Sequence, residues 1–226
     1  WSIHTTNDWI RADGTKACAD ERKIAFYSCK YGVLIVTQIR LIASEAELDL
    51  NDSKEGFVGI RLAPALALKG GTGHILNSAG DKDDKAWGKR ARWIDYTGQI
   101  GDKTVGVAMF DSTRNYGYPT YWHARDYGLL AANPFGGKAF SGDAKNDSGL
   151  KITYTDSIAL VYTTLIHDGK LDPATLDTLA NEVGGSVPKP PEVDGPRMLP
   201  GRASAPPKPA DAPATPSKPA EAKSSD

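Results

Sequence analysis

Residues 119–137, PTYWHARDYGLLAANPFGG, gather one of the four histidines with Arg125, Asp126, several aromatic rings and an Asn-Pro-Phe-Gly-Gly turn. Successive side chains of a β-strand point to opposite faces. A strand here puts Tyr121, His123, Arg125 and Tyr127 on one side, with Trp122, Ala124 and Asp126 on the other. The first set makes poor core and a good polar binding surface. Aromatic rings stack on sugar or ring faces, while Arg and His supply hydrogen bonds. A solvated sheet face carrying an Arg–Tyr stack is the alternative.

The same parity applied to EGFVGIRLA (55–63) gives an apolar face of Val58, Ile60 and Leu62, and an opposite face of Glu55, Phe57 and Arg61. If the two strands share a sheet, a carboxylate, an imidazole and two guanidiniums line one surface, the minimum set for general acid–base work on a polar substrate. Glu55, His123, Arg61 and Arg125 are therefore the expected catalytic residues. Burying Arg125 without a partner costs several kcal/mol, so it must reach solvent, a carboxylate or a ligand; Glu55 is the partner expected. Trp87, Arg90 and Trp93 from WGKRARWIDY (87–96), together with Tyr121, Tyr127 and Asn133, are the expected substrate-binding residues. The alternative for the tryptophan pair is a charged edge strand with packed rings. Asp95, Asp111 and Asp126 are further carboxylates.

Other chemistries find no support. His4, His74, His123 and His167 show no ligand spacing and no neighbouring cysteine, so no metal site is expected, and His167 reads as a turn residue at a strand end. Cys18 and Cys29 either bridge across a turn or stay free. There is no GxSxG, no GxGxxG after a strand and no phosphate-binding Walker loop. No cofactor is expected. The formal charge of −1 leaves no basic stripe for nucleic acid, and the longest apolar runs, such as VLIV at 33–36, fall far short of the roughly 18 residues a membrane helix needs. The expected partner is a small molecule or glycan.

Period-2 patterning dominates the elements that would position these groups. In VLIVTQIRLIA (33–43), Val33, Ile35, Ile39 and Leu41 share a face opposite Gln38 and Arg40. Further strands are expected over 23–28, 46–50, 90–96, 104–111, 120–127, 150–154 and 157–167. One helix is expected in LDPATLDTLANEVGG, with Asp172 as N-cap, Pro173 at its first position, a stripe of Leu176, Leu179 and Val183, and Gly184 as the stop. Residues 69–89 form a long polar connection, a candidate lid or a solvated insertion. The fold class expected is an all-β antiparallel sandwich of many short strands over residues 1–185. From 186 to 226 aromatics vanish and Pro, Ala, Lys and Ser take over, which predicts a disordered tail. The chain begins with Trp1 rather than Met, and so its start reads as trimmed or partial, with its compartment unreadable.

Three segments, DSKEGFVGIRLA (52–63), WGKRARWIDYTGQIGDKTVGVAMFD (87–111) and PTYWHARDYGLLAANPFG (119–136), resemble in order and spacing a bacterial family of unknown function labelled methane oxygenase PmoA or PmoA-like. The resemblance covers roughly 20–170 and implies a β-sandwich protein encoded near sugar oxidoreductases and isomerases. Members carry a longer N-terminal half containing a His-rich segment that is absent here, and Asp-His-Pro where this chain has Asp111, Ser112 and Thr113; the resemblance thus implies a C-terminal portion lacking its N-terminal part. The label itself conflicts with the chemistry: a membrane methane oxygenase needs spanning helices and metal-ligating histidines. The expected function is acid–base chemistry on a glycoside or oxidised sugar. A non-catalytic carbohydrate-binding or interaction module is the alternative, and a structural face packed against a missing N-terminal half is a third.

Overall fold

The computed structural model describes residues 1–186; the disordered tail expected from 186 onward lies outside the described residues. The strands are β1 (Ser2–Ile10), β2 (Lys16–Cys29), β3 (Gly32–Ile42), β4 (Leu48–Leu50), β5 (Val58–Arg61), β6 (His74–Asn77), β7 (Trp93–Ile100), β8 (Lys103–Asp111), β9 (Tyr121–Ala124), β10 (Leu129–Asn133), β11 (Leu150–Ile152) and β12 (Ser157–Asp168). A short helix, α1, spans Gly137–Ser141, and the main helix, α2, spans Pro173–Ser186. The pairing is antiparallel throughout, in a seven-stranded sheet of order β1-β2-β3-β12-β8-β7-β6, a three-stranded sheet β5-β10-β9 and a two-stranded pair β11-β4.

Two of these sheets face each other, as the sandwich reading expects. Ile94 and Tyr96 of β7, Val107 and Met109 of β8, and Leu160 and Tyr162 of β12 meet Trp122 and Ala124 of β9 and Leu130 and Ala132 of β10 in one cluster. The other face of the large sheet is also covered. Trp93, Ala108, Phe110 and Leu165 pack under Leu176, Leu179 and Ala180 of α2. Strands β7, β8 and β12 are thus buried on both sides, so their sequences lose the simple apolar–polar alternation of a half-buried strand. A third cluster of Cys18, Leu41, Ala43 and Ile152 seats the β4–β11 pair.

The helix starts where the sequence predicts. Asp172 caps it, accepting from the Thr175 amide at 3.0 Å and the Thr175 hydroxyl at 2.8 Å. It does not stop at Gly184 but continues to Ser186, and the Gly184 carbonyl accepts hydrogen bonds from the Ser112 and Thr113 hydroxyls, each at 3.2 Å, which tie the helix end to the loop after β8. Residues 69–89, the candidate lid or solvated insertion, are partly regular. They contain β6, which closes the edge of the large sheet with Ile75 and Asn77 buried, and a 3-10 turn at Asp83–Ala86. The cysteines are free. Both lie on β2, where eleven residues at roughly 3.3 Å each set them about 36 Å apart, against the roughly 6 Å between bridged Cα atoms. Strand β1 is exposed along most of its length. It is held through Asp20, a buried carboxylate that accepts from Asn7 at 2.7 Å, Trp9 at 2.6 Å and Arg22 at 2.8 and 2.7 Å.

Candidate functional site

The small sheet turns one face to the core and the other outward. On β9, Trp122 and Ala124 are core residues, leaving Tyr121 and His123 outward. The expected strand over 120–127 ends at Ala124. The chain then turns, with the Gly128 amide bonding the Arg125 carbonyl at 3.1 Å and the Arg125 amide bonding Leu129 at 2.8 Å. Gly128 has φ +85°, a left-handed conformation natural to glycine. Arg125 and Tyr127 therefore sit in a hairpin turn. Their side chains still join the outward set: the Arg125 guanidinium lies 5.6 Å from the Tyr127 ring and 5.8 Å from the Trp87 ring, and Arg61 of β5 lies 4.7 Å from Tyr127.

His123 occupies the middle of this face and is only 4% exposed. The Trp87 ring lies 6.3 Å away and the Phe140 ring, carried by α1, 6.0 Å away. Phe140 also meets Trp87 at 5.1 Å and Tyr121 at 5.7 Å. A Cβ at Gly88 or Gly136 would collide with the Phe140 ring, so these glycines make its seat. Helix α1 is positioned in turn by Asp52, which accepts from the amides of Lys138 and Ala139, both at 2.9 Å, and from Ser148. Two polar atoms beneath this cover, His123 Nδ1 and Trp87 Nε1, are buried without a hydrogen-bond partner among the described residues. Burial holds the imidazole below its ordinary pKa, and the Arg125 charge adds to this. The Glu55 carboxylate and a hydrogen bond with the Lys54 backbone pull the other way. His123 is therefore a neutral base at neutral pH.

Glu55 lies within electrostatic reach of His123 but is not the ion-pair partner expected for Arg125 or Arg61; no salt bridge joins them among the described residues. The chain bends at 54–57 before β5 begins, so the two-residue alternation does not extend back to Glu55. Phe57 likewise leaves the outer face and packs against Phe135 in the core. Three expected binding residues are engaged elsewhere. Trp93 is under α2 on the far side of the large sheet, its indole donating to Asp177 at 2.7 Å. Asn133 is buried, donating to the Ser53 carbonyl at 2.7 Å and accepting from the Phe135 amide at 3.0 Å. Arg90 donates to the carbonyls of Gly117, Tyr118 and Pro119 at 2.8–3.1 Å, while its guanidinium lies over the Tyr121 ring at 5.3 Å.

Next to His123 opens a depression of about 220 Å³ lined by Asp84, Trp87, Ala124, Arg125 and Asp126. Sequence reasoning missed Asp84 and Phe140. The first lies inside the Lys-Asp-Asp-Lys run, which reads as a solvated charge cluster, and the second in a glycine-flanked stretch with no period. Two further hollows are larger. One, of about 500 Å³, is broad and lined by residues such as Lys151, which already pairs with Glu47 and Asp49. The other, of about 270 Å³, is on the α2 side of the large sheet and includes Asp95. Asp95 is occupied: it pairs with His167 at 3.0 Å and accepts from Thr97 at 2.7 Å. His167 is buried, not a simple turn residue, and its second ring nitrogen bonds the Gly169 carbonyl at 3.0 Å. Asp111 is buried as well. Desolvation pushes its carboxyl up to about 7, although Asn115 and the Thr120 amide each donate to it at 2.7 Å.

Comparison with known proteins finds a match over residues 1–181 to a family described as a family of unknown function (DUF6807). No methane oxygenase or PmoA family is found, so the resemblance drawn from the three sequence segments is corrected: those segments belong to the family just described. No curated protein matches. A solved structure named as a polysaccharide lyase aligns at 16% identity over 72% of this chain and 23% of that one, with a TM-score of 0.30, too low to carry an argument about either fold or activity. No helix among the described residues is long and apolar enough to cross a membrane.

Proposed function

The chain belongs to DUF6807, a family of unknown function, and from the geometry of its small-sheet face we propose that it recognises carbohydrate in the depression beside Trp87. The observation that carries this reading is the set of groups around one hollow. An indole ring, two carboxylates and a guanidinium converge on about 220 Å³. That volume falls below the roughly 300–1,000 Å³ of drug-sized sites and is on the scale of a single sugar ring. Indole offers an apolar face to sugar C–H groups. Asp84 and Asp126 accept from hydroxyls, and Arg125 donates to them. Calorimetric titration of the full chain with a panel of mono- and oligosaccharides tests it. At least one sugar should bind, and Trp87→Ala should weaken that sugar at least tenfold, about 1.4 kcal/mol. Binding that ignores Trp87 would remove the site.

A second reading, acid–base turnover of a glycoside or oxidised sugar, has its own support. His123 is neutral, its Nδ1 has no partner, and Glu55 is nearby. A base in that state is ready to take a proton. The reading requires the cover to open, since His123 Nδ1 is buried and the Phe140 ring lies 6.0 Å from the imidazole. Product formation from glycosides that is lost in His123→Gln, with sugar affinity retained, would favour catalysis. Affinity without any turnover would leave recognition as the whole activity.

A further inference from the structure

Most arginine side chains among the described residues are provided with oxygen. Arg22 forks onto Asp20, Arg92 reaches Asp177 and Asn181, Arg40 reaches Glu21 and Ser157, Arg90 binds three carbonyls, and Arg11 binds the Lys16 carbonyl. Arg61 and Arg125 differ. Among the described residues they contact only rings, and they share one: Tyr127 lies 4.7 Å from Arg61 and 5.6 Å from Arg125. Two like charges on one phenol ring repel each other. The π-face offsets part of that repulsion and leaves the N–H donors of both forks unused. The nearest carboxylates do not close the gap. Glu55 pairs with neither arginine, and Asp84 and Asp126 line the hollow without bonding Arg125.

We infer that the saccharide recognised at this face is acidic, with an oxyanion, a carboxylate or sulfate group, held between Arg61 and Arg125 at the Tyr127 rim. This rests on the carbohydrate reading above and adds the class of sugar. The two ends of the site then have opposite polarity. Asp84 and Asp126 accept neutral hydroxyls inside the hollow and would repel an anion there, so the charged substituent points outward to the arginine pair. A planar guanidinium meets an oxyanion through two parallel N–H bonds, a geometry an ammonium cannot reproduce. Tyr127 is 44% exposed, so the ring both guanidiniums approach lies at the surface, where a ligand can reach it.

The test measures affinity of the full chain for three matched probes: uronate oligosaccharides, the same oligosaccharides after carboxyl reduction, and a sulfated neutral oligosaccharide. The uronate, the sulfated probe or both should bind at least tenfold tighter than the reduced sugar, and which of the two does so identifies the oxyanion. Arg61→Gln, which lies outside the hollow's lining, should cut the preference for acidic over reduced sugar at least threefold while leaving the reduced sugar's affinity within a few-fold. Arg61→Gln/Arg125→Gln should bring acidic and reduced sugars within about twofold of each other and, because Arg125 also donates inside the hollow, should weaken the reduced sugar as well. Arg→Lys at both positions should recover only part of the preference. Both side chains lie outside the core, and an unchanged unfolding midpoint would confirm that the variants fold. Acidic and reduced sugars binding equally, with Trp87 still required, would overturn this inference and leave carbohydrate recognition standing. Binding of none of the three probes or of the neutral panel would overturn both.

Discussion

His123 and His167 are both buried histidines on antiparallel strands, and they differ in nearly every other respect. Both ring nitrogens of His167 are bonded, to the Asp95 carboxylate and the Gly169 carbonyl. Burial alone would lower its pKa, but the hydrogen bond and charge of Asp95 outweigh that and hold it above the ordinary value. His123 has burial and Arg125 acting on it, which outweigh Glu55 and the Lys54 backbone, and an Nδ1 without a partner. A saturated buried pair ties strands together; an unsaturated buried base holds a capacity that nothing in the fold uses. The same contrast separates Arg22, Arg90 and Arg92 from Arg61 and Arg125. Among the described residues, His123, Trp87, Arg61 and Arg125 bring unmet donors and acceptors together around the small sheet's outer face; the Tyr162 hydroxyl, in the core between the sheets, is a further buried group without a partner.

Breaking the saturated member should cost most. Asp95→Ala removes the carboxylate bonded to His167 and leaves a buried imidazole without its charge partner, so stability should fall by about 3–5 kcal/mol, read from urea unfolding at pH 6. A loss under about 1 kcal/mol would mean that the pair is not charged. The next effect is steric. A Cβ at Gly106 would stand against Cε1 and Nε2 of His167, because Gly106 is directly opposite His167 in the β8–β12 register. Gly106→Ala should therefore displace the ring and cost about 1–3 kcal/mol, the range for overpacking a close-packed interior. Sugar binding at Trp87 should be unchanged in this variant, because the two centres lie on opposite faces of the large sheet.

Much of the β architecture was legible because half-buried strands alternate. Val58 and Ile60 of β5 face the core as the parity of EGFVGIRLA demands, and Trp122 and Ala124 do so on β9. Legibility failed where burial ceased to alternate. Trp87 and Trp93 look equivalent in WGKRARWIDY, yet β7 begins at Trp93 and turns that ring toward α2, while Trp87 stays in the preceding loop over His123. Strand β10, LLAAN, offers small residues on both faces and no period to read. Strand β1 is exposed and mixes polar with apolar residues on each face. Glu55 was placed by extending a strand two residues past its bend. Arg125 and Tyr127 reached the expected face although the strand ends before them, since the turn at Gly128 returns the chain on the same side. Phe140, which covers His123, left no pattern at all: its position depends on Asp52, nearly ninety residues upstream, bonding the amides of α1.

The smallest predicted effect tests the unsaturated member. His123→Gln forfeits no ring hydrogen bond at Nδ1, so its cost at pH 7 should stay within about 1 kcal/mol, and what it should change is the slope of stability with pH. A histidine whose folded pKa is depressed disfavours folding as pH falls below its unfolded value near 6.5, because the unfolded chain takes up the proton first. His167 acts in the reverse sense. Its raised pKa stabilises the fold below about 6.5, and that contribution is lost as pH rises through the folded value. Asp111, a carboxyl pushed up to about 7, adds to the same downward trend as pH climbs from its unfolded value to 7. The wild-type profile near pH 6 is thus a sum of opposing slopes. Relative to wild type, His123→Gln should gain stability as pH falls from 7 to 5, and the stability deficit of Asp95→Ala should shrink as pH rises through the raised pKa of His167 in the folded protein. If His123→Gln tracked the wild-type profile throughout, its imidazole would be titrating as freely as an exposed one. The small-sheet face would then hold no base distinct from solvent-facing histidines, and recognition by Trp87 and the arginine pair would have to account for the site without it.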